Sequence, residues 1–167
     1  TGGIAPNEEG GMVFRDENGD AVFAASKLST EAEADGHRLI TDAVHTADPD
    51  VKICMQILHM GPLAMNDQLV APSAIKSRIS KFTPNELDAA GIEKQINDHV
   101  NCAKLAQKAG YDGVEIIGSA GYLISTFLVE KTNQRTDEYG GSYENRMRFA
   151  LEVVRRFRAE VGEDFII

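Results

Sequence analysis

A short β-branched run that ends on glycines narrows most what this chain can fold into: Val114-Glu115-Ile116-Ile117-Gly118-Ser119-Ala120-Gly121-Tyr122. Val114 to Ile117 has the length and composition of a strand. Asp112-Gly113 ends the connection before it, while Gly118 and Gly121 break the strand and allow a tight turn. In alternating β/α folds, ligands and catalytic groups collect at the carboxyl ends of strands. That places Tyr122, just past the break, at a chemically useful edge. The polar run that follows holds Asn133, Arg135, Asp137, Tyr139-Gly140-Gly141-Ser142, Glu144-Asn145-Arg146 and Arg148-Phe149. It is too rich in Arg, Asn and Gly for a plain linker, and it opens the next helix.

The rest of the chain repeats the alternation. Thr1 to Ala5 reads as a strand end and Asp164 to Ile167 as a strand start, so the chain is expected to be a fragment cut at both ends. Met12-Val13-Phe14 and Ala21-Val22-Phe23 flank Asn18-Gly19, which predicts a hairpin over residues 12–23. Thr30 and Glu33 form a capping box, opening a helix whose buried face is predicted at Leu39, Ile40, Ala43, Val44 and Ala47. A strand is expected from Val51 to Leu58, followed by His59 and Gly61-Pro62. Residues 60–82 show no period, and a loop of that length is functional or mobile. Thr83-Pro84 with Glu86 predicts the next helix start, with Gly91 dividing the helix and Ile92, Ile96, Val100 and Ala103 along one face. Gly110 closes it. Ser142 caps the last helix, with Ala150, Val153, Phe157 and Val161 inward. Strands alternating with helices mean parallel strands joined by right-handed crossovers. Periodicity alone leaves an open sheet and a closed barrel equally available.

Composition sets the broad class. The 167 residues suffice for one ordinary domain, and 43% hydrophobic with 26% charged content reads as soluble and globular. No apolar run approaches the ~20 residues of a membrane span, and no signal peptide precedes the first motif. A net charge of −9 argues against nucleic acid, whose phosphates want a basic face. Cys54 and Cys102 have no metal-ligand spacing, so no metal site is expected and a reduced, cytoplasmic protein is the plain reading.

The pattern Asp112-Gly113-Val114-Glu115-Ile116-x-Gly118-x-x-Gly121-Tyr122-Leu123, then Phe127-Leu128, then Asn133 through Phe149, resembles the Old Yellow Enzyme family of FMN-dependent NADH:flavin oxidoreductases. Thr1 to Pro6, Gln56-Ile57-Leu58-His59 and Ala71-Pro72-Ser73-Ala74 resemble its 2,4-dienoyl-CoA reductase branch most. The likeness spans residues 1–167 with a poor patch over residues 8–25. It implies an α/β fold that is about half of a (β/α)₈ TIM barrel. The chain would run from the end of barrel strand 2 to the start of strand 5, as one partial FMN-binding domain with the residue 12–23 hairpin on its rim. It further implies reduction of a carbon–carbon double bond conjugated to a carbonyl, in a small enone or an enoyl-CoA, with NAD(P)H as electron donor. The remainder of the barrel is then a required partner, and this fragment alone is expected to be inactive. Full-length relatives often add an iron–sulfur cluster and FAD, for which nothing here provides a place. Two other readings stay open: a flavin-dependent amine dehydrogenase of the same family, and a non-catalytic scaffold fragment.

The resemblance sorts the candidate residues. Gln56 is an amide within an apolar strand; it is either bonded to backbone or, as the family pattern implies, set against the flavin's donor–acceptor edge. A pair such as Gly2-Gly3 is commonly a turn, but the family contacts FMN through backbone here, which makes Gly3 a cofactor-binding candidate. Many relatives carry His, and His or Asn, at positions 117 and 120 to bind a substrate carbonyl; Ile117 and Ala120 can donate no hydrogen bond. In the dienoyl-CoA branch the tyrosine matching Tyr122 donates the proton, and a phenol stays protonated at neutral pH. His59 is read as supporting the site, and His37, His45 and His99 as surface or packing residues. Lys131, Arg135, Asp137, Glu144, Asn145, Arg146 and Arg148 either bind an anionic substrate or, the favoured reading, form a salt-bridged network that fixes the loop, with Lys131 the more exposed candidate for a CoA phosphate.

Overall fold

The computed structural model describes residues 3–15, 17, 18, 21–23 and 26–167. In chain order the elements are β1 (Val13–Arg15), β2 (Ala21–Phe23), α1 (Glu31–Ala47), β3 (Cys54–Ile57), β4 (Val70–Ala71) and β5 (Asn85–Glu86). They continue with α2 (Ala89–Lys108), β6 (Gly113–Ile116), α3 (Leu123–Leu128) and α4 (Tyr143–Val161), and a single 3-10 turn covers Gly61–Leu63.

A parallel arc organises the molecule. β3 and β6 pair in parallel with Gln56 opposite Glu115, and single parallel bridges add Ile4 beside Ile57 and Ile166 beside Gly113. The backbone bonds at these flanks are full ladder bonds, Ile4 N–H to Gln56 O at 2.8 Å and Val114 N–H to Ile166 O at 2.9 Å. Four parallel segments therefore lie in chain order, as in an arc of a barrel wall. Along β3 and β6 the side chains alternate: Met55, Ile57 and Val114 are buried, while Cys54 and Glu115 are exposed and Gln56 is half-buried. α2 packs on β3 and β6, and α4 packs on α2. The core joins these layers through Ile92, Ile96, Phe127, Phe149, Val153 and Phe157, all fully buried, and the Phe127 and Phe149 rings stack at 4.3 Å. No helix among the described residues is long and apolar enough to cross a membrane.

Several local signals act as read. Thr30 and Glu33 form a complete capping box, Ser142 accepts from the Asn145 N–H, and Gly110 ends α2 at φ +87°. β1 and β2 pair antiparallel, but Gly19, half of the Asn-Gly turn signal, lies outside the described residues. Four expectations need correction. α2 starts at Ala89 with Asp88 as its cap, not at Thr83, because the Asn85 and Leu87 N–H groups bond to Leu69 O and Ala71 O in a small parallel pair of β4 with β5. Gly91 does not divide the helix: its N–H meets the Asp88 cap at 2.7 Å. β3 is shorter than the expected Val51–Leu58 strand, since the Ile53 N–H turns to the Asp112 carboxylate rather than to a ladder.

The inward face of α1 is the fourth correction. Leu39 is 74% and Ile40 54% exposed, Ala43 and Ala47 are exposed too, and the buried positions are Ala34 and Thr41. The helix docks through polar contacts instead. Thr41 Oγ1 donates to Ala109 O at 2.5 Å, Arg38 reaches Lys108 O, and His37 and His45 meet the Tyr111 hydroxyl and Asp112.

Candidate active site

The carboxyl ends of β3 and β6 carry the candidate residues. Past β3, Leu58 N–H bonds to Ile4 O, and Gly3 sits so close that a Cβ there would lie 2.3 Å from Leu58 Cβ. Glycine is thus required at position 3 by the neighbouring strand, whatever else binds there. Gln56 stands on the strand face away from the helices and donates through Nε2 to Glu115 Oε2 at 2.9 Å. It is neither bonded to backbone nor sunk in the apolar core.

His59 is buried under the loop of residues 5–11. A Cβ added to Gly10 would touch its ring, and the His99 ring stacks on it at 5.7 Å. Burial first, and His99 next, push its pKa well below the ordinary imidazole range, so the ring is neutral. Its Nδ1 accepts from the Gly61 N–H at 3.0 Å, which leaves the proton on Nε2, an atom with no partner among the described residues. His99 is likewise fully buried and donates through Nδ1 to Gln95 O; it is a core residue rather than a surface one.

Beyond β6 the backbone turns through two successive left-handed residues, Ala120 at φ +62° and Gly121 at φ +80°. This delivers Tyr122 to the N-cap of α3, where its N–H meets Ser119 O and the following Leu123 N–H meets His59 O at 3.1 Å. The half-buried Tyr122 lines a cavity of about 650 Å³. Met60, Leu63 and Met65 stand on one stretch of its lining, and Ile79 and Phe82 on another. Glu8, Asn66 and Lys81 add polar groups. A mostly apolar hollow with a few polar groups is the ordinary form of a small-molecule site. The Ile117 and Ala120 side chains bring no donor to this edge, and the Ile117 N–H is taken up by Ile57 O.

Of the residues picked from sequence, Tyr122 alone lines this cavity. Lys131 is exposed and lies outside it. Residues 60–68 and 79–82 were legible only as a long unpatterned loop, with Pro62, Met60 and Met65 as weak hints of an apolar lining. The Arg-rich run is structural. Arg135, with a side chain 7% exposed, donates to Pro72 O, Leu87 O and Asp137; Arg146 holds Leu128 O and Glu130; Asn133 bridges Phe127 O and Tyr139 O.

Comparison with known proteins agrees with this architecture. The chain is 42% identical over 150 residues to a metal reductase of Desulforamulus reducens, covering 87% of this chain and 22% of that protein. It is 38% identical over 151 residues to 12-oxophytodienoate reductase 2 of Arabidopsis thaliana, covering 81% and 40%. The solved 2-naphthoyl-CoA reductase, in its complex with 2-naphthoyl-CoA, superposes with a TM-score of 0.83 at 30% identity, covering 99% of this chain and 26% of that one. The chain spans less than half the length of each of these relatives. Its fold is part of the (β/α)₈ barrel of this enzyme group. The family model for the NADH:flavin oxidoreductase / NADH oxidase family matches residues 9–167, and the chain therefore belongs to that family.

Proposed function

We propose that residues 1–167 are one partial FMN-binding barrel domain of a cytoplasmic NAD(P)H-dependent oxidoreductase, completed by the remaining barrel strands. The enzyme reduces a carbon–carbon double bond conjugated to a carbonyl, and a 2,4-dienoyl-CoA is its best substrate. The observation that carries this reading is the Tyr122 phenol on an apolar cavity, together with Ile117 and Ala120 just before it in sequence, whose side chains offer no hydrogen-bond donor. A relative named for a dienoate and a solved neighbour holding an aryl-CoA thioester support the substrate class.

The residues present fit FMN. Gln56 holds a donor and an acceptor on the strand face away from the helices, suited to the heterocycle's polar edge, and the backbone at Gly3 runs beside it through the Ile4–Gln56 bond. When bound, FMN supplies hydride from N5. Tyr122 holds the proton that the far carbon of the conjugated system takes as negative charge develops there, which is general acid catalysis. The lining from Met60 to Met65 and from Ile79 to Phe82 binds and orients the apolar chain and excludes water from the reacting carbons. Lys131, exposed, meets the phosphates of the thioester outside the cavity. Any iron–sulfur cluster or FAD of the complete enzyme lies outside these residues.

The test is anaerobic turnover by the full-length protein. A 2,4-dienoyl-CoA and an enone should both consume NAD(P)H with formation of the saturated bond, and the thioester should give the higher kcat/KM. Oxidation of a secondary or tertiary amine with no reduction of either alkene would replace this reading with an amine dehydrogenase.

A further inference from the structure

One stretch of the cavity lining, Ile79 to Phe82, sits on an excursion that leaves the body at β4 and returns at β5. Two short parallel bridges, Val70 with Asn85 and Ala71 with Glu86, close its base. Next to that base lies Arg135, which belongs to the loop between α3 and α4 and is remote in sequence from the excursion. Its Nη1 donates to Pro72 O at 2.9 Å, just after β4, and also to Leu87 O, just after β5. Its Nε and Nη2 are held by the Asp137 carboxylate at 3.0 and 2.5 Å, which fixes the plane of the fork. The neighbouring Gln134 N–H adds a bond to Ser73 Oγ at 3.0 Å. Gly140 makes the room, since a Cβ there would sit 2.2 Å from Arg135 O.

We propose that Arg135 is a positioning residue for substrate selection: by bonding both feet of the excursion it fixes the Ile79–Phe82 wall of the Tyr122 cavity. This rests on the functional reading above and adds the residue that sets how much chain the cavity accepts. A single buried guanidinium bridging two carbonyls across 15 residues of sequence is more than the loop needs for solubility, and its fork geometry has no lysine equivalent. Arg135 touches neither the cavity nor Tyr122, so its effect passes through the wall.

The experiment compares full-length wild type, Arg135→Lys, Phe82→Ala and the double variant. The two substrates are a long-chain 2,4-dienoyl-CoA and cyclohexenone, which is too small to span the cavity. Arg135→Lys should raise KM for the long substrate about five- to tenfold, the loss of one or two bonds, with kcat and the cyclohexenone KM within about twofold. Phe82→Ala should raise the long-chain KM as well, and the double variant should add little to it, because the two residues act through one wall. Trypsin should also cut the native Arg135→Lys protein faster after Lys76, Arg78 and Lys81, and this readout needs no substrate. Should Arg135→Lys not fold, Ser73→Ala, which removes the Gln134 bond, carries the same comparison at smaller size. An unchanged ratio of the two KM values, equal rises in both, additive variants or unchanged cleavage would overturn the proposal. Failure of the wild type to reduce either substrate, with cleavage behaving as expected, would sink the functional reading and leave the clamp standing.

Discussion

Gly61→Ala is the sharpest single test of how the site is held. Gly61 sits at φ +55° under the first turn of α3, and a Cβ there would stand 2.7 Å from Leu123 N and 2.8 Å from Leu123 Cα. The obstacle is backbone, so no side-chain rotation relieves it. The left-handed conformation costs an alanine about 1–2 kcal/mol, and forcing a methyl group into a filled space costs about 1–3 kcal/mol more. Restricting the unfolded chain returns about 0.4–1 kcal/mol. The expected net loss is about 1–4.5 kcal/mol. Urea unfolding followed by circular dichroism measures it, as a lower midpoint at unchanged slope. Gly36→Ala is the control: Gly36 lies in α1 with nothing within 4 Å of a Cβ, and the change should stabilise by about 0.5–1 kcal/mol. If Gly61→Ala stays within about 0.5 kcal/mol of wild type while the control behaves, the close packing of the Gly61 turn on α3 is wrong.

Two further outcomes follow from the charges and thiols. Asp112 has its pKa lowered from 3.8 to about 2, first by the Ile53 N–H, then by His45, with Lys52 adding to both. A folded value below the unfolded one gives stability present above pH 4 and lost as pH falls towards 2, so the stability gap between wild type and Asp112→Asn should shrink across that window in acid titrations. Cys102 is buried and its thiol pKa is pushed up by desolvation, whereas Cys54 is exposed. A thiol reagent should therefore modify Cys54 alone in the native protein and both residues in denaturant; fast native modification of Cys102 would contradict its burial.

What could be read in the sequence was what local chemistry decides. The Thr30–Glu33 box, the Ser142 cap and the α2 stripe of Ile92, Ile96, Val100 and Ala103 are set by neighbours a turn apart, and they stand. Thr83-Pro84 with Glu86 is an equally good start signal locally, but the Leu69 and Ala71 carbonyls, 16 residues upstream, claim the Asn85 and Leu87 N–H groups. The apolar stripe of α1 misled for a related reason. Its partners within the described residues are the carbonyls and polar groups at the end of α2, which choose Thr41 over Leu39. Tyr122 was legible because glycines mark its turn; the walls of its cavity were not, since Met60 and Phe82 meet only through the folded excursion. The left-handed Ala120 left no trace in sequence at all.

The proton donor is the centre of the account, and Tyr122→Phe in the full-length enzyme tests it most directly. The change removes one oxygen from a half-buried side chain and little packing. Anaerobic stopped-flow absorbance follows the two half-reactions apart. Consumption of NAD(P)H should proceed at the wild-type rate, while reduction of a 2,4-dienoyl-CoA slows by about 10²–10⁴-fold, the usual contribution of a general acid. An acceptor that takes electrons without a proton from the protein should still react quickly. Wild-type rates with both acceptors would show that Tyr122 only packs at the mouth of α3 and that the proton comes from elsewhere.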